Sequence, residues 1–180
     1  MKVYDDYFDS KFLMDMASYL AHAHMWSADN TANRYSYPYG FKGTHLLLGH
    51  KIFDKEENYY TENRKVFNLG MQIFKGIEEM KESKFDLLQL SANLQFKGMN
   101  GTLHTDGTSE QTAFILMFTN EFIGDNVGGK FINDTVKEEV DFKNGRLIEI
   151  TASDLHRADS LDLEKVLRFS IKVLVGGNHE

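Results

Sequence analysis

Two histidines, one aspartate and one arginine in the C-terminal half have the residue types of an open metal site. His104 and Asp106 are two residues apart in Asn100-Gly101-Thr102-Leu103-His104-Thr105-Asp106-Gly107. An extended chain sends residues i and i+2 to the same face, so both side chains can grip one ion. His156 supplies a second, distant imidazole. Two imidazoles and one carboxylate form the facial triad that holds non-haem Fe(II) and leaves positions open. Arg168 follows in the strand-like run Val166-Leu167-Arg168-Phe169-Ser170-Ile171.

The tripeptide alone says little. With 7 His in 180 residues, roughly one such chain in two carries a His-x-Asp by chance. Its weight comes from order: strand, Gly turn, His-x-Asp, a series of strands, His, then Arg within a strand. Asp154 lies two residues before His156, could share its face, and so competes with Asp106 as the carboxylate ligand. Asp159 reads as a group behind the ligands or on the surface.

Composition narrows the chemistry further. The chain has no Cys, which excludes disulfides, Fe–S clusters and thiol catalysis, so any metal falls to His, Asp and Glu. A formal charge of −7 and a pI near 5.5 count against a nucleic-acid backbone as the main partner. The N-terminus lacks the apolar stretch of a signal peptide and no run reaches membrane-span length. A soluble cytoplasmic protein is expected. Length favours a single domain over 1–180, with 1–86 a helical support region and 87–175 a β core.

The elements that must position the site can be read from periodicity. Asp9 or Ser10 can cap a helix over about 10–25, with Phe12, Leu13, Met16, Tyr19, Leu20 and Ala23 at helical spacing. His22 and His24 sit about 200° apart on it and cannot share a metal. Residues 27–42 read as a loop in which Tyr35, Tyr37, Tyr39 and Phe41 alternate, either packing on the body or forming a lip over the substrate. A short strand follows at 43–48. A second helix over about 59–81 carries the stripe Val66, Leu69, Gly70, Ile73, Phe74, Ile77 and Met80, which is core packing.

From Leu87 the chain reads as short strands near 87–96, 102–106, 112–119, 129–133, 136–142, 146–151, 155–159 and 165–175. Turns fall at Gly98–Gly101, Asn120–Gly128 and Asn144-Gly145, the last a hairpin signal. Eight short antiparallel strands suggest a jelly roll. In the last strand Leu167, Phe169, Ile171 and Val173 oppose Arg168, Ser170 and Lys172, and near 93–96 Asn93 and Gln95 oppose Leu94 and Phe96. A solvated sheet face would account for Lys172; a polar lumen accounts for both strands. Gly124, Gly128 and Gly129 lack the strand–helix context of a phosphate loop.

The whole series resembles the Fe(II)- and 2-oxoglutarate-dependent oxygenases, close to the prolyl-4-hydroxylase-like branch of phages and bacteria. The likeness runs from about Leu87 to Val175. It rests on Asn93-x-Gln95, Gly98, Gly101, His104-Thr105-Asp106-Gly107, His156, Gly128-Gly129, Asn144-Gly145-Arg146 and Arg168.

That resemblance implies an α+β, mainly β fold, a double-stranded β-helix (jelly-roll) barrel covered by N-terminal helices. It implies Fe(II) held by His104, Asp106 and His156, and 2-oxoglutarate as cosubstrate. Arg168 would anchor the far carboxylate, Ser170 would add a hydrogen bond, and Asn93 and Gln95 would offer amides to the same cosubstrate. The reaction would hydroxylate a C–H bond of a peptidyl proline or a small metabolite, releasing succinate and CO2. The spacing from His156 to Arg168 is slightly longer than is commonest in the family, which implies a bulge or longer turn near Ser160-Leu161-Asp162. Lys165 and Lys172 are the fallback anchors. A cupin-type metal enzyme without 2-oxoglutarate and a non-catalytic jelly-roll metal-binding module are the competing functions. Selectivity would come from loops near 27–42, 107–111 and 120–128.

Overall fold

The computed structural model describes residues 1–27, 48–124 and 126–179. The segment Tyr35–Phe41 and nearly all of the expected strand at 43–48 lie outside the described residues, as does Asp125 in the third expected loop.

Among the described residues two helices and ten strands follow one another as β1 (Lys2–Tyr4), α1 (Ser10–Ala21), β2 (Leu48–Asp54), β3 (Tyr59–Tyr60), α2 (Arg64–Lys81), β4 (Lys84–Gln95), β5 (Thr112–Thr119), β6 (Phe131–Asn133), β7 (Glu138–Val140), β8 (Arg146–Thr151), β9 (His156–Ala158) and β10 (Arg168–His179). They form a seven-stranded sheet, β1-β8-β5-β10-β4-β2-β3, and a three-stranded sheet, β7-β6-β9. All pairings are antiparallel. No described helix is long and apolar enough to cross a membrane.

The period-two pattern decides what each face of the large sheet meets. Leu90, Ala92 and Leu94 of β4 and Phe169, Ile171 and Val173 of β10 face outward. There they pack with Leu13, Met16 and Leu20 of α1 and Ile73 and Ile77 of α2. The intervening residues face the small sheet, where Ile115, Met117, Ile148 and Leu174 join Phe131 in a second core. The helices support the sheet; the site lies on its other face.

Both helices begin at side-chain caps, Asp9 accepting from Phe12 N (2.8 Å) and Asn63 from Val66 N (3.2 Å). The second helix is shorter than its periodicity suggests, because Tyr59 and Tyr60 pair instead with Asp54 and Phe53. The first ends at Ala21, four residues before the expected end.

Two β expectations are corrected. Asn144-Gly145 does not close a hairpin: β7 pairs with β6, whereas β8 pairs with β5 and β1. The turn carries the chain from the small sheet to the large one, with Gly145 at φ +82° donating to Met117 O at 2.8 Å. The expected strand at 102–106 is reduced to one bridge, His104 to His156.

Candidate active site

The stretch 101–107 lies antiparallel to 152–158. Gly101 N donates to Ala158 O (2.8 Å), His104 and His156 exchange both backbone hydrogen bonds (3.0 and 2.9 Å), and Asp106 N donates to Ala152 O (2.8 Å). Gly101 is required by this approach, since a Cβ there would lie 2.9 Å from Ala158 O. Backbone pairing thus sets the two imidazoles side by side, with ring centroids 4.4 Å apart.

Each imidazole is oriented in the same way. His104 Nδ1 lies 2.8 Å from Thr102 O and His156 Nδ1 lies 2.8 Å from Asp154 O. A carbonyl only accepts, so each Nδ1 carries the proton and each Nε2 presents its lone pair. Phe131 stacks on the His156 ring at 5.4 Å. One ligand atom from each of His104, Asp106 and His156 lies within 4.8 Å of the others. Asp106 Oδ2 is 3.3 Å from His156 Nε2, and Asp106 Oδ1 is 3.8 Å from His104 Nε2.

Electrostatics keep His104 and Asp106 in the forms that bind a cation. Burial pushes His104 down to about 4, helped by the neighbouring His156, so it is neutral at pH 7. Burial alone would raise the Asp106 carboxyl. The Lys172 ammonium reverses this and holds it well below the usual carboxylate range. Asp106 Oδ2 is buried with no hydrogen-bond partner among the described residues. An orphaned carboxylate oxygen beside His156, with the His104 imidazole within reach of the same carboxylate, fits a divalent metal.

These residues open on a cavity of about 180 Å³ between the sheets. Three register rows of the large sheet lie under it, with Thr119 and Met117 not themselves lining the cavity. Gln95, Arg168 and Thr119 form the first, Asn93, Ser170 and Met117 the second, and Ser91, Lys172 and Ile115 the third. Asn93, Gln95, Arg168 and Ser170 all line the cavity.

Arg168 is the unusual member. It is 1% exposed and among the largest fully buried side chains. Nη1 donates to Gln95 Oε1, Nη2 lies 3.0 Å from Met117 Sδ, and the Phe142 ring is 5.9 Å away. Nε has no partner among the described residues. Burial lowers its pKa to about 10, against the pull of Asp159, so it stays charged at neutral pH. Gln95 is fully engaged, since Nε2 also donates to Met99 O (2.6 Å) and Ala158 O (3.0 Å). It ties Arg168 to the Gly98–Gly101 turn.

The competing acids are placed elsewhere. Asp154 Oδ2 accepts from Asn133 Nδ2 at 2.8 Å, and Asp159 lies 3.3 Å from Arg157. Lys165 sits in a left-handed turn at φ +64°. Lys172 is not on a solvated face: it lines the cavity and donates to Asp106 Oδ1 at 2.7 Å. Ser91, Gln89 and Lys51 also line the cavity, although no sequence motif marks them. Extending the parity of Asn93 and Gln95 backwards along the strand reaches Ser91 and Gln89. Lys51 lies on β2, outside every expected strand.

No family model matches the chain, and no curated protein matches it by sequence. Solved structures do match. A 2OG-Fe(II) oxygenase family oxidoreductase from Burkholderia pseudomallei superposes with a TM-score of 0.66 at 12% identity, covering 99% of this chain and 88% of that one. A Trichoplax adhaerens prolyl hydroxylase, solved with a hypoxia inducible factor oxygen degradation domain peptide, gives 0.63 at 9% identity, with coverages of 97% and 82%. HygX from Streptomyces hygroscopicus, solved with nickel and 2-oxoglutarate bound, gives 0.57 at 9% identity and the same coverages. The chain therefore has the double-stranded β-helix fold shared by 2OG-Fe(II) oxygenases and prolyl hydroxylases.

Proposed function

We propose that this protein is an Fe(II)- and 2-oxoglutarate-dependent oxygenase that hydroxylates a C–H bond. One observation carries the reading: a metal-competent triad and a buried guanidinium without an acid hydrogen-bonded to it face the same cavity from opposite ends. Burying a charge with no hydrogen-bonded counter-ion is costly, and a dianionic ligand offsets that cost. 2-Oxoglutarate has the matching shape, a keto-acid end that chelates a metal and a distal carboxylate that suits a bidentate Arg fork.

His104, Asp106 and His156 would hold Fe(II), and Arg168 would take the distal carboxylate with Ser170 beside it. Gln95 would act through Arg168, holding the guanidinium in place, and Asn93 occupies the middle row between the two ends. When bound, Fe(II) supplies the dioxygen chemistry that couples release of succinate and CO2 to C–H hydroxylation. The protein orients the cosubstrate and keeps bulk water from the buried end. The prolyl hydroxylases among the structural matches make a peptidyl proline a reasonable first substrate to test, with small metabolites second. A Cys-free chain in a reducing cytoplasm suits an oxidisable Fe(II) site.

A cupin-type enzyme that does not use 2-oxoglutarate, or a closed metal-binding module, would give the buried Arg168 no ligand. The test is succinate release on incubation with Fe(II), 2-oxoglutarate and oxygen, alone and with peptides, free amino acids and nucleosides. Slow succinate formation without substrate, stimulated by one class, is the expected result. No succinate and no binding of 2-oxoglutarate to the metal-loaded protein would overturn the reading.

A further inference from the structure

Lys172 has a position that the proposed reaction does not itself require. It lies four residues from Arg168 on the same face of β10, about 13 Å along an extended strand. The two cations therefore cannot grip one carboxylate together. Arg168 faces the end without a hydrogen-bonded acid, whereas Lys172 Nζ reaches Asp106 Oδ1 at 2.7 Å. The Lys172 side chain is 18% exposed and that of Asp106 3%, so this pair is shielded from water.

The two oxygens of Asp106 differ as a result. Oδ1 accepts from the ammonium, whereas Oδ2 has no hydrogen-bond partner and lies 3.3 Å from His156 Nε2. We propose that Lys172 is a positioning residue that claims Oδ1, so that Asp106 meets a metal through Oδ2 alone. The inference rests on the metal-site reading above.

The consequence concerns open positions. Two imidazoles and one carboxylate oxygen would occupy one face of a bound ion. A second carboxylate oxygen would occupy a position that the cosubstrate and dioxygen need. An ammonium bound to Oδ1 competes with the metal for that oxygen's lone pairs. Held at 2.7 Å from a ligand residue's oxygen, it would also repel the cation, so Lys172 would trade metal affinity for open positions. The stem is held between Ser91 on β4 and Ile115 on β5, its register partners, which limits where the ammonium can go.

The test is crystallographic, on full-length protein loaded with Co(II), comparing wild type, Lys172→Met and Lys172→Arg. The number of Asp106 oxygens on the metal decides the question. One oxygen in wild type and in Lys172→Arg, with two in Lys172→Met, is the expected result. Co(II) affinity, read from its visible absorption, should rise in Lys172→Met by about 10–100-fold, the size of effect outer partners exert on metal sites. One-oxygen binding retained in Lys172→Met, or two-oxygen binding in wild type, would overturn the proposal while leaving the metal site intact. Wild-type protein that does not hold Co(II) through His104, Asp106 and His156 would remove the metal-site reading and this one with it. If Lys172→Met does not fold, Lys172→Gln, neutral and polar, takes its place with the same expected result.

Discussion

The two ends of the inner face of β10 carry the same charge and opposite circumstances. At one end Lys172 is matched by Asp106 at 2.7 Å. At the other Arg168 is more deeply buried, yet its hydrogen-bond partners among the described residues are an amide and a thioether. A compensated cation contributes to the resting structure. One without a hydrogen-bonded acid, held by Gln95, covered by Phe142 and acted on by Asp159 only through space, is poised for a ligand that arrives later. The difference marks the direction in which a dianion would lie, its distal charge at Arg168 and its chelating end at the triad.

The largest expected effect comes from the metal end. His104→Ala should reduce iron-dependent succinate release by more than about 100-fold, since even outer partners of metal ligands are worth 10–100-fold. Far-UV circular dichroism should be unchanged, because the backbone bridge between residues 104 and 156 needs no side chain. Retained turnover would show that another residue supplies the ligand.

Arg168→Met breaks the opposite end. It should weaken 2-oxoglutarate binding by about 2–5 kcal/mol, the cost of leaving a desolvated carboxylate without its charged partner. The ligand-free protein should not melt at a lower temperature, because exchanging a buried charge that has no hydrogen-bonded acid for an apolar chain of similar size is often neutral or stabilising. Loss of stability together with unchanged 2-oxoglutarate affinity would make Arg168 a structural cation.

Acid separates the two ends in another way. His104 ionises near 4 in the fold but near 6.5 when unfolded, so between these values the unfolded chain binds more protons. Stability is therefore fully present above about pH 6.5 and is lost as pH falls through about 4, by roughly 3 kcal/mol for this group. Urea melts of the metal-free protein at pH 7 and pH 4 measure this, and His104→Gln should flatten the difference. Arg168 stays charged throughout that range and contributes nothing to it.

The smallest expected effect belongs to Gln95. Gln95→Leu removes the amide joining Arg168 to Met99 and Ala158. A weakening of 2-oxoglutarate binding by about 1–3 kcal/mol is expected, the cost of a broken buried hydrogen bond, with metal affinity unchanged. An equal loss in both would mean that Gln95 supports the whole site and not Arg168 in particular.

Much of this arrangement is legible in the amino-acid sequence wherever it depends on local spacing. The alternation of Arg168, Ser170 and Lys172 follows from strand periodicity, and His104 and Asp106 come together although their segment forms one bridge and not a strand. The strands at 112–119 and 146–151 appear at the expected bounds. What local spacing does not reveal depends on partners distant in the chain. Asn144-Gly145 carries hairpin chemistry, but the neighbours of β7 and β8 are set by tertiary packing, so the turn crosses between sheets. Tyr59 and Tyr60 continue a helical pattern that pairing with Phe53 and Asp54 overrides. Nothing local says that Lys172 ends at Asp106, because that contact joins residues 66 positions apart.

The central claim is that Arg168 awaits a distal carboxylate, and calorimetry on Co(II)-loaded protein tests it most directly. Binding of 2-oxoglutarate would be compared with that of 2-oxovalerate, which keeps the keto-acid end but lacks the second carboxylate, in wild type and in Arg168→Met. Wild type should prefer 2-oxoglutarate by at least about tenfold, 1.4 kcal/mol, and the variant should bind the two alike. Equal affinities in wild type, or a preference that survives in Arg168→Met, would contradict the claim.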